Sequence, residues 1–216
     1  NVLKEVFSYS WPLMFFGIVS SILVWTDSFV IGYFLNAENV GYYNSAIPLA
    51  MLLIIFSELF TKLFSPHITK EYSRDKKNIS SIKQLSQQIG KWIFLLNLPI
   101  LILMLIFPKE LIQILFGSQY IIAENSLRFL SIGMFFSSIF TVSQRLISML
   151  GKSKIILIDS IFAIIINVIL NIILVQKYGI SGAAFATMIS LIFLNLLFFF
   201  QAKNFCSAAA GKPCNF

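Results

Sequence analysis

The sequence predicts an all-α, polytopic integral membrane protein with six transmembrane helices. Three observations predict it. The 216 residues are 58% apolar and only 12% charged, with a mean hydropathy of +0.86, whereas soluble domains carry about 25% charged residues. The apolar residues gather into six runs, each close to the roughly 20 residues a helix needs to cross about 30 Å of hydrocarbon. Lys and Arg fall unevenly between those runs. Together these exclude a soluble enzyme, a secreted disulfide module and a disordered tail. A transmembrane barrel is excluded too, because its strands read as alternating segments of about ten residues.

The elements follow in order. The first span covers 11–35, opening near Pro12, and the short polar stretch 36–39 joins it to the second, 42–64. Residues 66–88 hold the main polar run and are expected to form a basic cytoplasmic loop. The third span is 89–107. A longer connector, 108–126, leads to the fourth span, 127–150. The connector 151–154 leads to the fifth, 155–175, and 176–181 to the sixth, 182–201. Residues 204–216 form a tail with no role assigned. Its two cysteines, Cys206 and Cys214, match neither a zinc spacing nor a disulfide framework. The stretch Asn1–Ser10 lacks the apolar core and cleavage site of a signal peptide. There is no initiator Met, so a fragment of a longer protein is expected.

Orientation comes from the cations. One side of the membrane collects Lys4, then Lys62, Lys70, Arg74, Lys76, Lys77, Lys83 and Lys91, then Arg145, Lys152 and Lys154, and finally Lys203 and Lys212. The other side has Lys109, Arg128 and Lys177. Cytoplasmic loops are enriched in Lys and Arg, so both termini are expected in the cytoplasm. The net charge of +7 is then a mark of topology rather than of nucleic-acid binding.

Polar residues within the spans are the candidates for function, because they are costly in hydrocarbon and face a bundle interior or a hydrated cavity. Span one places Gly17, Ser20, Ser21, Asp27 and Ser28 within one arc, and span two places Ser57, Glu58, Thr61, Lys62 and Ser65 together. Span four carries Ser138, Thr141, Gln144, Arg145 and Ser148 on one side. Span five carries Asp159, Ser160, Ala163, Asn167 and Asn171. Span six has Thr187, Ser190 and Asn195. Span three has only Asn97 and Pro99, which makes it the best candidate for a lipid-facing helix. Four polar stripes predict a hydrated cavity. Small polar residues also serve simply to let membrane helices pack.

The ionisable groups carry more weight. Asp27 has no partner near it in sequence and is suited to carry a proton or bind a cation. Glu58 and Lys62 are spaced i, i+4 in the favourable order and either neutralise each other or serve the pathway. Arg145 either reaches lipid phosphates or contacts an anion at the cavity mouth. Asp159 reads as an interfacial cap and His67 as a solvated residue. The expected substrate and ion pathway is therefore Asp27, Glu58, Lys62, Gln144, Arg145, Asn167 and Asn171. With one His, no metal-ligand cluster, no phosphate-cradling Gly loop and no nucleophile–base set, the sequence predicts no enzyme, no metal and no cofactor.

Several stretches together resemble a known family. They are Trp25-Thr-Asp-Ser-Phe-Val-Ile-Gly-Tyr-Phe-Leu35 with Glu38-Asn-Val-Gly-Tyr-Tyr-Asn-Ser-Ala46, Ser65-Pro66 before the basic stretch, Phe107-Pro-Lys-Glu-Leu-Ile-Gln-Ile-Leu-Phe-Gly-Ser-Gln-Tyr120, Asn167-Val-Ile-Leu-Asn171, and Lys177-Tyr-Gly-Ile-Ser-Gly-Ala-Ala-Phe-Ala-Thr187. In order and spacing these resemble the O-antigen and capsule-type flippases of the multidrug/oligosaccharidyl-lipid/polysaccharide exporter superfamily. The resemblance implies two six-helix lobes around a central cavity, of which this chain is the C-terminal one. It implies a lipid-linked oligosaccharide substrate, flipped across the cytoplasmic membrane by alternating access coupled to an ion gradient or the membrane potential. Its partners would be membrane lipid and either a missing N-terminal lobe or a second copy, and no nucleic acid. A multidrug or cation exporter of the same superfamily and a non-transporting scaffold subunit are the alternatives.

Overall fold

The computed structural model describes residues 2–74, 79–149 and 152–210. Its regular elements are all helical: α1 (Val2–Phe34), α2 (Ala37–Arg74), α3 (Ile79–Ile106), α4 (Pro108–Phe116), a 3-10 segment (Ser118–Ala123), α5 (Glu124–Met149) and α6 (Ser153–Ala210). Among the described residues, four stretches are long and apolar enough to cross a membrane: Ala37–Lys62, Gln87–Ile106, Ser118–Arg145 and Ser153–Asn204. The last has 52 residues, enough for two crossings at about 20 residues each.

The helices outrun the apolar spans. α2 continues to Arg74 and α3 starts at Ile79, so the described part of the expected basic loop 66–88 is helical; residues 75–78, with Asp75, Lys76 and Lys77, lie outside the described residues. The end of an apolar run marks where a helix leaves hydrocarbon, not where it stops. Lys, Glu and Gln are good helix formers, and nothing in water terminates the helix there. The expected tail is likewise helical as far as Ala210. Residues 150, 151 and 211–216, with Lys212 and Cys214, lie outside the described residues. The 108–126 connector folds into α4 and the 3-10 segment.

The expected connector 176–181 holds no loop. α6 is broken only at Gly179, where φ is 60° and ψ −141°, a backbone conformation that side chains with a Cβ rarely adopt. Asn167 Nδ2 before the break donates to Thr187 Oγ1 after it, at 3.0 Å, so the two halves (153–178 and 180–210) lie side by side as a hairpin. Gly182 makes this possible. A Cβ built there would stand 2.2 Å from the Leu174 carbonyl oxygen.

α6 packs most heavily on α5 and α1, and α5 on α2. The larger buried cluster includes Ile31, Tyr43, Leu53, Ile112, Leu127 and Leu130. A smaller one, Ile147, Ile156, Ala163, Leu194, Phe198 and Ala202, lies toward the open end of the α6 hairpin. α3 presents Trp92, Leu95, Leu103 and Ile106 outward, as expected of a lipid-facing helix. Its other side is not free, however. Ile93, Asn97, Leu101 and Met104 form a buried stripe, with Asn97 Nδ2 donating to the Leu53 carbonyl and to Ser138 Oγ, both at 2.9 Å. One amide thus ties α3 to α2 and α5. Cross-helix hydrogen bonds in membranes contribute about 0.6–2 kcal/mol, so Asn97→Leu is expected to lower unfolding stability by that order, read from denaturation in mixed micelles.

Candidate functional site

Asp27 is the centre of the site. It lies on α1 with 2% of its surface exposed. Its carboxyl accepts three hydrogen bonds from three directions. Asn171 Nδ2 donates to Oδ1 at 2.7 Å, Thr187 Oγ1 donates to Oδ2 at 2.6 Å, and the Tyr43 hydroxyl also donates to Oδ2. The donors come from α2 and from both halves of α6, so one carboxyl gathers four helical rods. Local sequence explains each placement. Asn167 and Asn171 are i, i+4 and share a helix face, and Asn171 Nδ2 also reaches back to the Asn167 carbonyl at 3.1 Å. The Gly179 break then brings Thr187 onto that same face.

The oxygens matter as much as the donors. Asn167 Oδ1 and Asn171 Oδ1 are buried without partners. Beside a carboxylate, unpaired amide oxygens make an acceptor-rich site, the kind that suits a hard cation or a proton. Among the described residues no group of three or more His, Cys, Asp or Glu side chains gathers to hold a metal.

A cavity of about 180 Å³ opens beside this node. Asp27, Tyr43 and Thr187 line one region of it and Ser137 and Ser160 another. Most of its remaining wall is apolar, with Ile47, Met51, Ile54, Leu130, Met134 and Leu191 among the residues. The sequence predicted a cavity walled by polar stripes. The structure closes those stripes on themselves: Ser160 bonds its own helix at Ile156, Ser190 at Ala186 and Thr61 at Ser57. Hydroxyls inside membrane helices satisfy themselves on the preceding turn, leaving the aliphatic side chains to line the space.

Of the expected pathway residues, the structure brings Asp27, Asn167 and Asn171 together. It separates the others. Glu58 and Lys62 pair at 3.5 Å with side chains 52% and 72% exposed, while Ser57 and Thr61 on the same helix are buried. The stripe read as one face of span two is therefore two faces, because residues i and i+1 stand 100° apart. Arg145 is exposed and Gln144 half-buried. Tyr43 belongs to the site and was not expected there. Its hydroxyl is the polar tip of an otherwise apolar side chain, and its place in the Glu38–Ala46 stretch was the only signal. Thr187 was noted on span six without a partner.

The described structure is a polytopic helical membrane protein with the fold of one lobe of a superfamily transporter. It superposes on a crystal structure of a MATE mutant with a TM-score of 0.83, covering 98% of this chain and 48% of that one at 16% identity. It superposes on a MOP superfamily transporter from Pyrococcus furiosus with a TM-score of 0.73, covering 99% and 46% at 18% identity. Residues 1–125 match the polysaccharide biosynthesis protein family, and the chain belongs to it. A probable low-salt glycan biosynthesis flippase of Haloferax volcanii is 28% identical over 87% of this chain and 39% of its own length. A candidate O-antigen transporter of Shigella flexneri is 27% identical over 94% and 48%. The chain thus spans about half the length, or less, of these relatives.

Proposed function

We propose that this chain is one lobe of a flippase that moves lipid-linked oligosaccharide across the cytoplasmic membrane, with both termini cytoplasmic, by alternating access against a second lobe. The observation that carries the reading is the half-transporter fold in a family whose relatives at twice this length are named as a glycan flippase and an O-antigen transporter. The chemistry supports it. Each sugar hydroxyl left unsatisfied in hydrocarbon costs about 4–8 kcal/mol, so unaided crossing is negligible. The cavity inside the lobe is too apolar to serve those hydroxyls, which favours passage of the sugar between lobes. The Glu58–Lys62 pair, Arg145 and the half-buried Gln144 lie on or near the outer face of the lobe. There Arg145 is suited to meet a diphosphate. Asn167 and Asn171 serve Asp27 instead, which takes a cation or proton and couples transport to its gradient.

In the two-lobe protein, Arg145→Ala is expected to cut complementation of a flippase-deficient strain while membrane insertion stays normal. Full complementation by both Arg145→Ala and Asp27→Asn would sink the pathway assignment. The apolar cavity favours a second reading, an exporter of apolar cations. Drug resistance conferred on a susceptible strain, without rescue of polysaccharide export, would establish that reading instead.

A further inference from the structure

Asp159 lies outside the Asp27 site. It stands on the first half of α6, 7% exposed, and its separation from Asn171 along that helix is about 18 Å at about 1.5 Å per residue. The Gln201 side chain, on the second half of α6, hydrogen-bonds to its carboxyl. Two buried oxygens of this pair have no partner: Asp159 Oδ2 and Gln201 Oε1. With Asp159 ionised, both are acceptors and neither can satisfy the other. A buried carboxylate lacking a cation or a full set of donors is strongly disfavoured. A proton on Oδ2 converts that atom to a donor. The amide N–H then gives to one carboxyl oxygen while the acid O–H gives to the amide oxygen, and no polar atom is left over.

On α5, Arg145 is exposed; Lys152, just before α6, and Lys154 on it are exposed, and Lys203 on α6 is half-buried. On α3, Lys91 is exposed, and on α2, Glu58 and Lys62 are taken up with each other. α1 has no ionisable group from Ser10 up to Asp27. Among the described residues, the Gln201 side chain reaches the Asp159 carboxyl with a hydrogen bond.

We propose that Asp159 holds a proton shared with Gln201 as a carboxylic acid–amide pair, a second proton-binding site toward the open end of the α6 hairpin. The proton comes from water and returns to it, and only an O–H bond is made or broken. Asn167–Thr187 joins the α6 hairpin near its bend, and Asp159–Gln201 joins it near its open end. Proton loss sets a carboxylate against the Gln201 carbonyl and loosens that end, so occupancy of this site controls how tightly the two halves close.

Infrared spectroscopy of the whole protein that carries this chain, in lipid nanodiscs on an Asp27→Asn background, tests the site. The expected result is a protonated-carboxyl C=O band that titrates with pH and is lost in Asp159→Asn. In Gln201→Leu the band is expected to persist but move to higher frequency, as its hydrogen bond is removed. A band unchanged by both substitutions, or a carboxylate signal from Asp159 across the whole pH range, overturns the proposal. Gln201→Leu keeps the test open where Asp159→Asn does not fold. The readout is the proton itself, so it stands or falls separately from the flippase reading.

Discussion

Asp27→Asn is expected to leave the protein folded and inserted but to cut flipping about tenfold or more, since losing about 1.4 kcal/mol of coupling at the rate-limiting step suffices. The isosteric amide keeps the shape of the node and can still accept from Thr187 and Tyr43, but it carries no charge and takes no proton. Asp27→Ala separates function from stability. It leaves the Tyr43 hydroxyl, the Thr187 hydroxyl and the Asn171 amide without their acceptor, at about 1–3 kcal/mol for each buried group. That sum rivals the stability of a typical domain, about 5–15 kcal/mol. Asp27→Ala is therefore expected to accumulate poorly and to melt early in a thermal-shift assay in detergent. Complementation of a flippase-deficient strain reads the first effect. A fully active Asp27→Asn would remove Asp27 from the coupling machinery, whatever its structural role.

The second large effect is expected at Gly182→Ala. The new methyl would sit 2.2 Å from the Leu174 carbonyl oxygen and 2.6 Å from its carbon. Backbone atoms cannot rotate aside as a side chain does, so the two halves of α6 must separate near their bend. Thr187 would then draw away from Asn167 and Asp27. The expected outcome is loss of folded protein, seen as a large fall in the monodisperse fraction by size-exclusion chromatography, with no complementation. Gly41→Ala is the control. It lies in α2 with nothing within 4 Å of its Cβ position, and Ala stabilises a helix interior relative to Gly by about 0.8–1.0 kcal/mol. Gly41→Ala is expected to match or slightly exceed the wild type. Equal behaviour of the two variants would mean that the α6 hairpin is not closed as described.

The contrast between Asp27 and Lys62 shows how much of the site was legible in the residues alone. A lone carboxylate deep in an apolar run is conspicuous at any register, and so is a pair of Asn residues at i, i+4 in span five. Their shared partner is not. Asp27 and Thr187 are 160 residues apart, and no local period relates them. The face that Lys62 occupies was not legible for a different reason. A polar stripe defined by i, i+1, i+4, i+5 covers about 100° more arc than one of i, i+4, and only neighbouring helices decide which half is covered. Asn97 had a weaker signal, a single amide in an otherwise apolar span. Its role as a three-helix tie needed the positions of Leu53 and Ser138.

What the sequence by itself determined is the part governed by solvent transfer and chain geometry. Long apolar runs make membrane-spanning helices, because every backbone polar group must be paired within the hydrocarbon. Gly and polar punctuation mark where those runs end. Order and spacing along the chain carried the family. What only the tertiary structure decided is where polar atoms find their partners. Ser160, Ser190 and Thr61 turned their hydroxyls back onto their own helices, and the cavity wall is mostly apolar. One residue, Gly179, replaced a loop and folded α6 on itself. Asp27 and Asp159, read as separate charges on separate spans, both found hydrogen-bond donors on that hairpin. Hydrogen-bond satisfaction is short-ranged in space and indifferent to sequence distance, so these assignments exist only once the helices are packed.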